Sequence, residues 1–355
     1  MSEPLGSQLP APTPLATVPS AALVIAHRGA SAWLPEHTLA AYARAIADGA
    51  DAIEPDLVMT RDGVLVARHE NEISATTDVA SRPEFSGHRT RKQVDGQWFD
   101  GWFTEDFSLA ELKTLRARER LPQLRPTGND GRFEVPTFDE IVALAAAESE
   151  RRGRLVGIVP ETKHPSYFAG LGLAMEQPLL DALVAHKYTR RAPVLVQSFE
   201  TANLRALRGQ VPRGGNIRLL QLVGAPDEAP WDTVSGGAPV PYARMVLPEG
   251  LRDVAAYADV LGPPYPMLQL QPEGGAYRSA LVDQAHAAGL EVVAYTFRPE
   301  NVFIEARFGD GGEPTARNEA ASLREIRAYL SAGLDGLFTD DPALGRLAVD
   351  GRPAG

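Results

Sequence analysis

The segment LVIAHRGA, residues 23–30, joins a short apolar run typical of a β-strand to a histidine, an arginine and a glycine. Similar apolar runs come before EPD at residues 54–56, before His69 and before ETK at residues 161–163. Four successive strands would then end in ionisable side chains. In a parallel barrel the carboxyl ends of the strands form one rim, where catalytic groups collect. The sequence therefore predicts an α/β fold of the (β/α)8 barrel type with a site at that rim.

The spacing of the carboxylates predicts a metal site. Residues i and i+2 of a strand point to the same face, so Glu54 shares a face with Asp56, and Glu161 with Lys163. Carboxylate oxygens are hard ligands, suited to Ca²⁺ or Mg²⁺ rather than to a soft metal. We predict that Glu54, Asp56 and Glu161 hold one divalent cation, either Ca²⁺ or Mg²⁺.

Two histidines and two cations complete the predicted site. An unperturbed histidine has a pKa of about 6.5, so His27 and His69 are suited to act as base and acid near neutral pH. Arg28 offers a fork of donors for phosphate oxygens, and Lys163 offers a compact charge. Each residue alone also fits an ordinary role, such as a buried histidine or a surface ion pair. Their joint occurrence at successive strand ends favours metal-assisted attack on a phosphate ester.

Longer motifs around these residues resemble those of glycerophosphodiester phosphodiesterases. The resemblance extends from about residue 22 to 345 and is greatest to the longer, periplasmic-type bacterial members of that family. The motifs that carry it are VIAHRGAS at 24–31, LPEHT at 34–38, GAD at 49–51, EPDLVMTRDG at 54–63, TTDVA at 76–80, GWFTEDF at 101–107 and GLFTD at 336–340.

The resemblance implies a TIM barrel that hydrolyses glycerophosphodiesters, such as glycerophosphocholine or glycerophosphoethanolamine, to glycerol 3-phosphate and an alcohol. It also implies that a glycerol hydroxyl attacks phosphorus first, and that water then opens a cyclic phosphate. The implied roles are acid/base catalysis for His27 and His69, metal binding for Glu54, Asp56 and Glu161, and phosphate contact for Arg28 and Lys163. Which histidine first acts as the base is left open.

Two positions depart from the family pattern. Glu70 follows the second histidine where the family usually has Asp, and its extra methylene leaves an orienting role for this carboxylate open. His37 occupies a position where many members have Asn, and we interpret it as a structural residue in a loop before a helix.

Later strand ends contribute residues to the predicted mouth of the barrel. Gln197, Phe199 and Tyr295 are predicted to bind substrate there. The ring of Tyr295 could lie against glycerol carbons or could simply fill the barrel, and the sequence favours neither.

Length and composition agree with one barrel and a small-molecule substrate. The chain has 355 residues, 44% of them hydrophobic, which suffices for a barrel with an insertion. The net charge of −11 argues against nucleic acid or an anionic membrane surface as a partner, because either would require a basic face. The absence of cysteine excludes disulfides and thiol nucleophiles. No apolar run approaches the roughly 20 residues of a membrane span, and the oligomeric state is not determined.

One phosphodiesterase domain is predicted over residues 23–345, with a small insertion over about 70–135 between the third and fourth strands. Residues 1–22 are predicted to be a flexible segment, and residues 346–355 a tail. The insertion contains aromatic residues that could line a pocket or form a small separate core: Trp98, Phe99, Trp102, Phe103 and Phe107.

The compartment stays open between two possibilities. The resemblance indicates the periplasm or secretion. The first 22 residues, however, contain no Lys or Arg and no apolar core of signal-peptide length, so a cytoplasmic location is also compatible with the sequence.

Capping signals predict several helix starts. Thr38 is expected to cap a helix that runs to about Asp48. Capping boxes at Ser108, Thr137 and Ser322 predict helices over 109–118 and 138–149 and a last long helix. Nine candidate strands compete for the eight positions of the barrel.

Two alternative functions remain. One is a phospholipase D-like enzyme on the same barrel that acts on an intact membrane lipid, which would require an exposed apolar docking loop. The other is a barrel that binds phosphodiesters without catalysis, which would be indicated by loss of a histidine or of a carboxylate from the site. All of these residues are present.

Overall fold

The computed structural model describes residues 22–353, and within them the chain forms fifteen strands and twelve α-helices. The strands are β1 (Leu23–His27), β2 (Ala52–Glu54), β3 (Asp56–Met59), β4 (Leu65–Ala67), β5 (Thr90–Val94), β6 (Gln97–Gly101), β7 (Gly157–Ile158), β8 (Glu161–Thr162), β9 (Val194–Ser198), β10 (Ile217–Leu222), β11 (Val260–Gly262), β12 (Gln271–Glu273), β13 (Ala276–Arg278), β14 (Glu291–Phe297) and β15 (Gly336–Thr339). The helices are α1 (Leu39–Ala47), α2 (Leu109–Leu112), α3 (Phe138–Arg152), α4 (Pro165–Gly170), α5 (Glu176–Ala185), α6 (Thr201–Arg208), α7 (Trp231–Ser235), α8 (Tyr242–Met245), α9 (Pro248–Ala255), α10 (Ala280–Ala287), α11 (Glu319–Ser331) and α12 (Pro342–Val349).

Eight parallel strands of the described chain close into a barrel, which confirms the predicted fold class. Their order around the ring is β1, β2, β7, β9, β10, β11, β14 and β15, and β15 pairs with β1 again. Two barrel strands continue beyond a proline, because β3 follows β2 after Pro55, and β8 follows β7 after Pro160. Pro55 lacks an N–H but its carbonyl still accepts a bond from the Glu161 amide at 2.9 Å. The rim of the barrel is therefore extended on this side.

The third candidate strand is the one of the nine that lies outside the barrel, a choice that the sequence left open. Strand β4 pairs antiparallel with β3, with Leu57 opposite Ala67. A parallel crossover needs a dozen or more residues, but only five separate Met59 from Leu65, so the chain can only fold back as a hairpin. The insertion therefore follows the second barrel strand rather than the third. His69 reaches the rim as the hairpin returns, not as the end of a barrel strand.

Alternation along the strands produces two apolar layers. One layer fills the space between the barrel and its helices, and includes Ile53, Val58 and Val196. The other fills the barrel interior and consists of Ile25, Ala52, Val159, Leu195, Leu220, Leu222, Val260, Val293 and Phe338. Because residues i and i+2 share a face, the next inward position on most of these strands lies at the rim. The polar site therefore lies directly above the apolar layer of the barrel interior.

The insertion over 70–135 folds as a hairpin of β5 and β6, three 3-10 helices (Val79–Ser81, Pro83–His88 and Thr104–Asp106) and α2. Phe103 and Phe107 are fully buried, and the Phe85 and Phe107 rings meet edge to face at 5.1 Å. Trp98 is exposed on the hairpin. Phe107 belongs to the same apolar layer as Ile53 and Val58, and Trp102 packs against that layer. These aromatic residues therefore extend the main core rather than forming a separate one.

Most of the helix starts were predicted correctly. Thr38 caps α1, and Ser108 and Thr137 form capping boxes on α2 and α3. The prediction at Ser322 was wrong, because α11 begins at Glu319 and the Asn318 side chain accepts from the Ala321 amide. The S-x-x-E spacing also occurs inside helices, so it does not mark a start by itself.

The carboxyl-terminal boundary of the domain lies beyond the predicted one. Helix α12 runs to Val349, four residues past the predicted domain end at 345. The predicted flexible segment 1–22 lies outside the described residues, except for residue 22. No helix within residues 22–353 is long and apolar enough to cross a bilayer.

Candidate active site

The register of the parallel strands brings the predicted site residues to one level. His27 lies opposite Glu54 in neighbouring strands, and Asp56 lies opposite Glu161. Glu161 in turn lies opposite Gln197. Strand pairing alone therefore places a histidine, three carboxylates and an amide side by side on the inner face of the rim.

A cavity of about 260 Å³ opens above this level. All of the predicted site residues except Asp56 and Lys163 line it. The complete lining is His27, Arg28, Glu54, His69, Arg120, Glu161, Gln197, Phe199, Leu222, Tyr295, Thr296, Arg298 and Phe338. Asp56 is buried, and Lys163 lines an adjoining cleft that shares Glu161 and Phe199 with the cavity.

The three predicted metal ligands lie close together and are almost completely buried. One oxygen from each of Glu54, Asp56 and Glu161 lies within 4.8 Å of the others. Burial and the neighbouring Asp56 charge raise the pKa of Glu54 well above its ordinary value. Burial, opposed by Lys163, likewise raises the pKa of Glu161 to about 8. Burial would raise the pKa of Asp56 too, but Arg28 and His37 hold it well below its usual range.

This donor set fits a hard divalent cation. Three buried carboxylates repel one another, and a cation between them would offset both the repulsion and the lost hydration. Oxygen-only donors match the preference of Ca²⁺ and Mg²⁺. The identity of the ion is not distinguished by the donors alone.

Arg28 links the carboxylates to the wall of the cavity. Its guanidinium lies 3.1 Å from Asp56 Oδ2 and donates to Glu36 Oε2 at 3.0 Å, while its amide donates to Glu54 Oε2 at 2.9 Å. The residue has a positive φ of 60°. The following Gly29, with φ of 88°, lies so close to α1 that a Cβ there would approach the Ala41 backbone to 2.7 Å. This tight turn holds Arg28 beside the acidic triad, which consists of Glu54, Asp56 and Glu161.

His27 is held by a carboxylate that the sequence analysis did not single out. Its Nδ1 lies 2.6 Å from Asp340 Oδ1, directly after β15. Asp340 Oδ2 accepts from Arg125 at 2.6 Å and from Arg298 at 3.0 Å. Burial would raise the pKa of Asp340, but these two arginines hold it well below its usual value. Burial and the Arg28 charge lower the pKa of His27 to about 4, so its imidazole is neutral at pH 7.

His69 has a corresponding partner in its neighbour, Glu70. Its Nδ1 lies 2.8 Å from Glu70 Oε1, and the other Glu70 oxygen lies 2.9 Å from Nε2 of His164. Burial, Arg28 and Lys163 lower the pKa of His69 to about 3. Both imidazoles therefore engage a carboxylate through Nδ1, which leaves Nε2 as the ring nitrogen available to the cavity.

The predicted structural residue His37 is completely buried behind the triad. Its Nε2 lies 2.8 Å from Asp56 Oδ2, and its Nδ1 lies 2.7 Å from the Tyr42 hydroxyl. Its side chain therefore fixes the position of Asp56 without facing the cavity.

The remaining predicted residues lie next to the triad, and all of them except Lys163 line the cavity. Gln197 Nε2 donates to Glu54 Oε1 at 2.9 Å, and Lys163 Nζ lies 3.1 Å from Glu161 Oε1. The Tyr295 hydroxyl donates to the Val223 carbonyl at 2.7 Å, and its ring meets Phe199 edge to face at 6.2 Å. Tyr295 thus both lines the cavity and packs on the barrel interior.

The sequence analysis gave no role to Asp340, which lies behind His27, or to the cavity residues Arg298 and Arg120. Asp340 and Arg298 directly follow β15 and β14, so the same strand-end signal that indicated His27 could have found them. Arg120 comes from the insertion and donates to Glu36 at 2.8 Å. It has no local signal, because its place in the cavity depends on how the insertion folds over the rim.

Known proteins match this chain over nearly its whole length. The sequence profile of the "Glycerophosphoryl diester phosphodiesterase family" matches residues 27–344. A glycerophosphodiester phosphodiesterase of Arabidopsis thaliana is 30% identical over 331 residues, covering 89% of this chain and 82% of that protein. A glycerophosphodiester phosphodiesterase of Haemophilus influenzae is 29% identical over 347 residues, covering 91% and 88%.

Solved structures share the barrel fold. A phosphodiesterase of Oleispira antarctica, in complex with the product sn-glycerol-3-phosphate, has a TM-score of 0.59 and 22% identity over 93% of this chain and 97% of that one. A glycerophosphodiester phosphodiesterase of Agrobacterium tumefaciens has a TM-score of 0.53 and 19% identity, covering 91% and 98%. On the family match and the curated relatives together, the chain belongs to the glycerophosphoryl diester phosphodiesterase family and is an enzyme of that family.

Proposed function

We propose that the chain hydrolyses glycerophosphodiesters to sn-glycerol 3-phosphate and an alcohol, with glycerophosphocholine and glycerophosphoethanolamine as candidate substrates. The observation that carries the proposal is a single cavity lined by His27 and His69, each with Nδ1 on a carboxylate, and by Glu54 and Glu161 of the buried acidic triad. The family match and the product complex of the Oleispira antarctica relative support the same reaction.

The acidic triad is proposed to hold one divalent cation, Ca²⁺ or Mg²⁺, through Glu54, Asp56 and Glu161. When bound, such a cation supplies positive charge to the phosphate oxygens and so lowers their repulsion of a nucleophile. Arg28 and Arg298 line the same cavity and add fixed positive charge there. An acidic protein thereby makes a locally positive site for an anionic diester.

The two imidazoles are proposed to move the protons. In the first step, Nε2 of one histidine takes the proton of the glycerol hydroxyl next to the ester, and that oxygen forms a bond to phosphorus. The bond from phosphorus to the alcohol oxygen breaks, and the other histidine gives that oxygen a proton. Well-placed internal nucleophiles reach effective molarities of about 10⁵ M or more, which favours this route over direct attack by water.

In the second step, water opens the cyclic phosphate with the roles reversed. The histidine that gave its proton takes one from water, and the histidine that gained a proton returns it to the glycerol oxygen as the ring opens. Both imidazoles are neutral in the free enzyme because their pKa values lie at about 4 for His27 and about 3 for His69. One of them must therefore gain a proton as the anionic substrate enters.

A direct assay tests the function and its metal requirement. We expect the protein with Ca²⁺ or Mg²⁺ to release glycerol 3-phosphate from glycerophosphocholine, and excess EDTA to abolish the release. Glu54→Gln keeps the shape of the side chain but removes its charge, so it should lose both turnover and the calorimetric heat of cation binding. Glu84→Gln, an exposed glutamate of the insertion, serves as the matched control and should keep both.

Two outcomes would contradict parts of this proposal. Absence of glycerol 3-phosphate with either cation would contradict the substrate class, and full activity in EDTA would contradict the metal role. The cyclic route has its own test. If bis-aryl phosphates, which lack the hydroxyl, turned over as fast as glycerophosphocholine and no cyclic phosphate could be trapped, direct attack by water would replace it.

A further inference from the structure

We propose that Asp95 and His164 act as positioning residues for His69, through a chain of side chains that runs Asp95–His164–Glu70–His69. The proposal rests on the proposed function, in which His69 exchanges protons with the substrate. It gives the hairpin of β5 and β6 a part in that step, although Asp95 at its tip is not among the residues that line the catalytic cavity.

Three successive contacts connect the hairpin tip to the cavity. Asp95 Oδ2 lies 2.6 Å from His164 Nδ1, and His164 Nε2 lies 2.9 Å from Glu70 Oε2. The other Glu70 oxygen lies 2.8 Å from His69 Nδ1. His164 lies between the carboxylates of Asp95 and Glu70 and engages each of them through one ring nitrogen. Each contact fixes the orientation of the next ring or carboxylate along the chain, so the three contacts together hold the His69 ring in one orientation.

Glu70 needs such an anchor. Its side chain is 41% exposed, so a carboxylate there with only His69 as partner would exchange freely with water. The contact from His164 occupies the second oxygen and thereby holds the first against His69 Nδ1. The two oxygens of Glu70 thus engage two different imidazoles, and its side chain lies between them.

The local backbone supports a fixed place for His164. It has a positive φ of 49° and stands directly before Pro165, the first residue of α4. Non-glycine residues adopt this left-handed conformation rarely, and they keep it where the surroundings over-determine it. Here the surroundings are the two carboxylates that hold the ring from opposite sides, with Lys163 as the neighbouring cation. Burial would lower the pKa of His164, but Asp95 and Glu70 raise it to about 9, so the ring is cationic at neutral pH.

The far end of the chain is fixed as well. Asp95 and Gly96 form the two-residue turn between β5 and β6, both with positive φ, which is the geometry that Asp-Gly favours in hairpins. Gly96 lies against Trp231, where an added Cβ would approach the ring to 2.8 Å. The tip is therefore wedged between α7 and His164. Movement of the hairpin would be transmitted to His69 through these contacts.

The first test separates orientation from binding. His164→Gln keeps a polar side chain but removes the charge and the second ring nitrogen. We expect it to lower kcat about tenfold or more, a part of the 10²–10⁴-fold that a general base contributes, with KM changed less than about twofold. Asp95→Asn should lower kcat in the same direction by a smaller factor. The matched control is His186→Gln, which removes a surface histidine that contacts Asp139 and should leave both constants unchanged.

A double-mutant cycle tests the path of the effect. In the Glu70→Gln background the chain is already broken, so adding His164→Gln should lower kcat no further. If His164→Gln lowers kcat by the same factor with Glu70 and with Gln at position 70, His164 does not act through Glu70 and the proposal is overturned. It is also overturned if His164→Gln changes KM alone, since that would place His164 in substrate binding.

NMR spectroscopy tests the proposal without any substrate. In the metal-free protein, ¹⁵N shifts of the His69 ring should report a proton on Nδ1, and His164→Gln or Asp95→Asn should mix the two tautomers. Unchanged ¹⁵N shifts in both variants would overturn the proposal whether or not the protein hydrolyses glycerophosphodiesters. Asp95→Asn changes a residue at a hairpin tip, so the NMR measurement can still be made on this variant if His164→Gln does not fold.

Discussion

His27 and His69 face one cavity but are held by different kinds of structure. His27 ends a barrel strand, and its partner Asp340 follows the neighbouring strand β15. His69 follows the short hairpin strand β4, and its partner is the next residue along the chain. One histidine is therefore positioned by the closed barrel, and the other by the segment inserted into it.

The two carboxylate partners differ in burial and in charge balance. Asp340 is 1% exposed and lies between two arginines, Arg125 and Arg298, which keep it ionised and fixed. Glu70 is 41% exposed and depends on His164 for its second contact. A buried charge that is fully paired is costly to disturb, whereas an exposed one is held only by the groups that contact it. We infer that the His27 side is rigid and that the His69 side can adjust.

The largest expected effect concerns the histidines themselves. His27→Ala and His69→Ala should each lower kcat by about 10²–10⁴-fold, because each removes a proton-transferring group. Cation binding and the melting temperature should change little, since neither imidazole belongs to the acidic triad. Steady-state kinetics with glycerophosphocholine and calorimetric titration of Ca²⁺ measure both. A variant that kept more than about a tenth of the wild-type kcat would make its histidine a structural residue.

A second effect should separate the two sides by stability. Asp340→Asn leaves Arg298 and part of Arg125 without a counter-charge in a buried setting, so it should cost about 3 kcal/mol of unfolding free energy, at the lower end of the range for a broken buried pair. Glu70→Gln should cost less than about 1 kcal/mol, because its carboxylate is partly solvated. Urea unfolding measures both values. Equal costs would show that the two sides are equally rigid.

The smallest effect, and the most specific, is the pH dependence of stability. The pKa of His164 is raised to about 9, so the folded protein binds an extra proton between about pH 6.5 and 9. The stabilisation from His164 is therefore fully present below about pH 6.5 and is lost as the pH rises through 9. The pKa of His27 is lowered to about 4, so its contribution is present above about pH 6.5 and is lost as the pH falls toward 4.

Urea unfolding of the metal-free protein at several pH values checks these signs. His164→Gln should be destabilising by on the order of 2 kcal/mol near pH 6 and almost neutral near pH 10. His27→Gln should gain stability relative to the wild type between pH 7 and pH 4. The reverse slope for His164→Gln would mean that its ring is neutral between Glu70 and Asp95.

Local regularities were enough to predict much of this protein. Side-chain alternation has a period of two, so Ala52, Glu54 and Asp56 had to share a face in any strand. Apolar runs that end in ionisable residues indicated the barrel and its active rim, and the motifs around His27 and Glu54 indicated the family. These signals can be read from the sequence because each depends on residues that are neighbours along the chain.

Contacts between distant segments could not be predicted in the same way. The direction of β4 depended on a loop too short for a parallel crossover, and the sequence analysis left open which of the nine candidate strands lies outside the barrel. Arg125 meets Asp340 across 215 positions, and His164 meets Glu70 across 94. Such pairs carry no periodicity or spacing that identifies them. They form only when closure of the barrel and packing of the insertion bring the segments together, and they determine how each histidine is held.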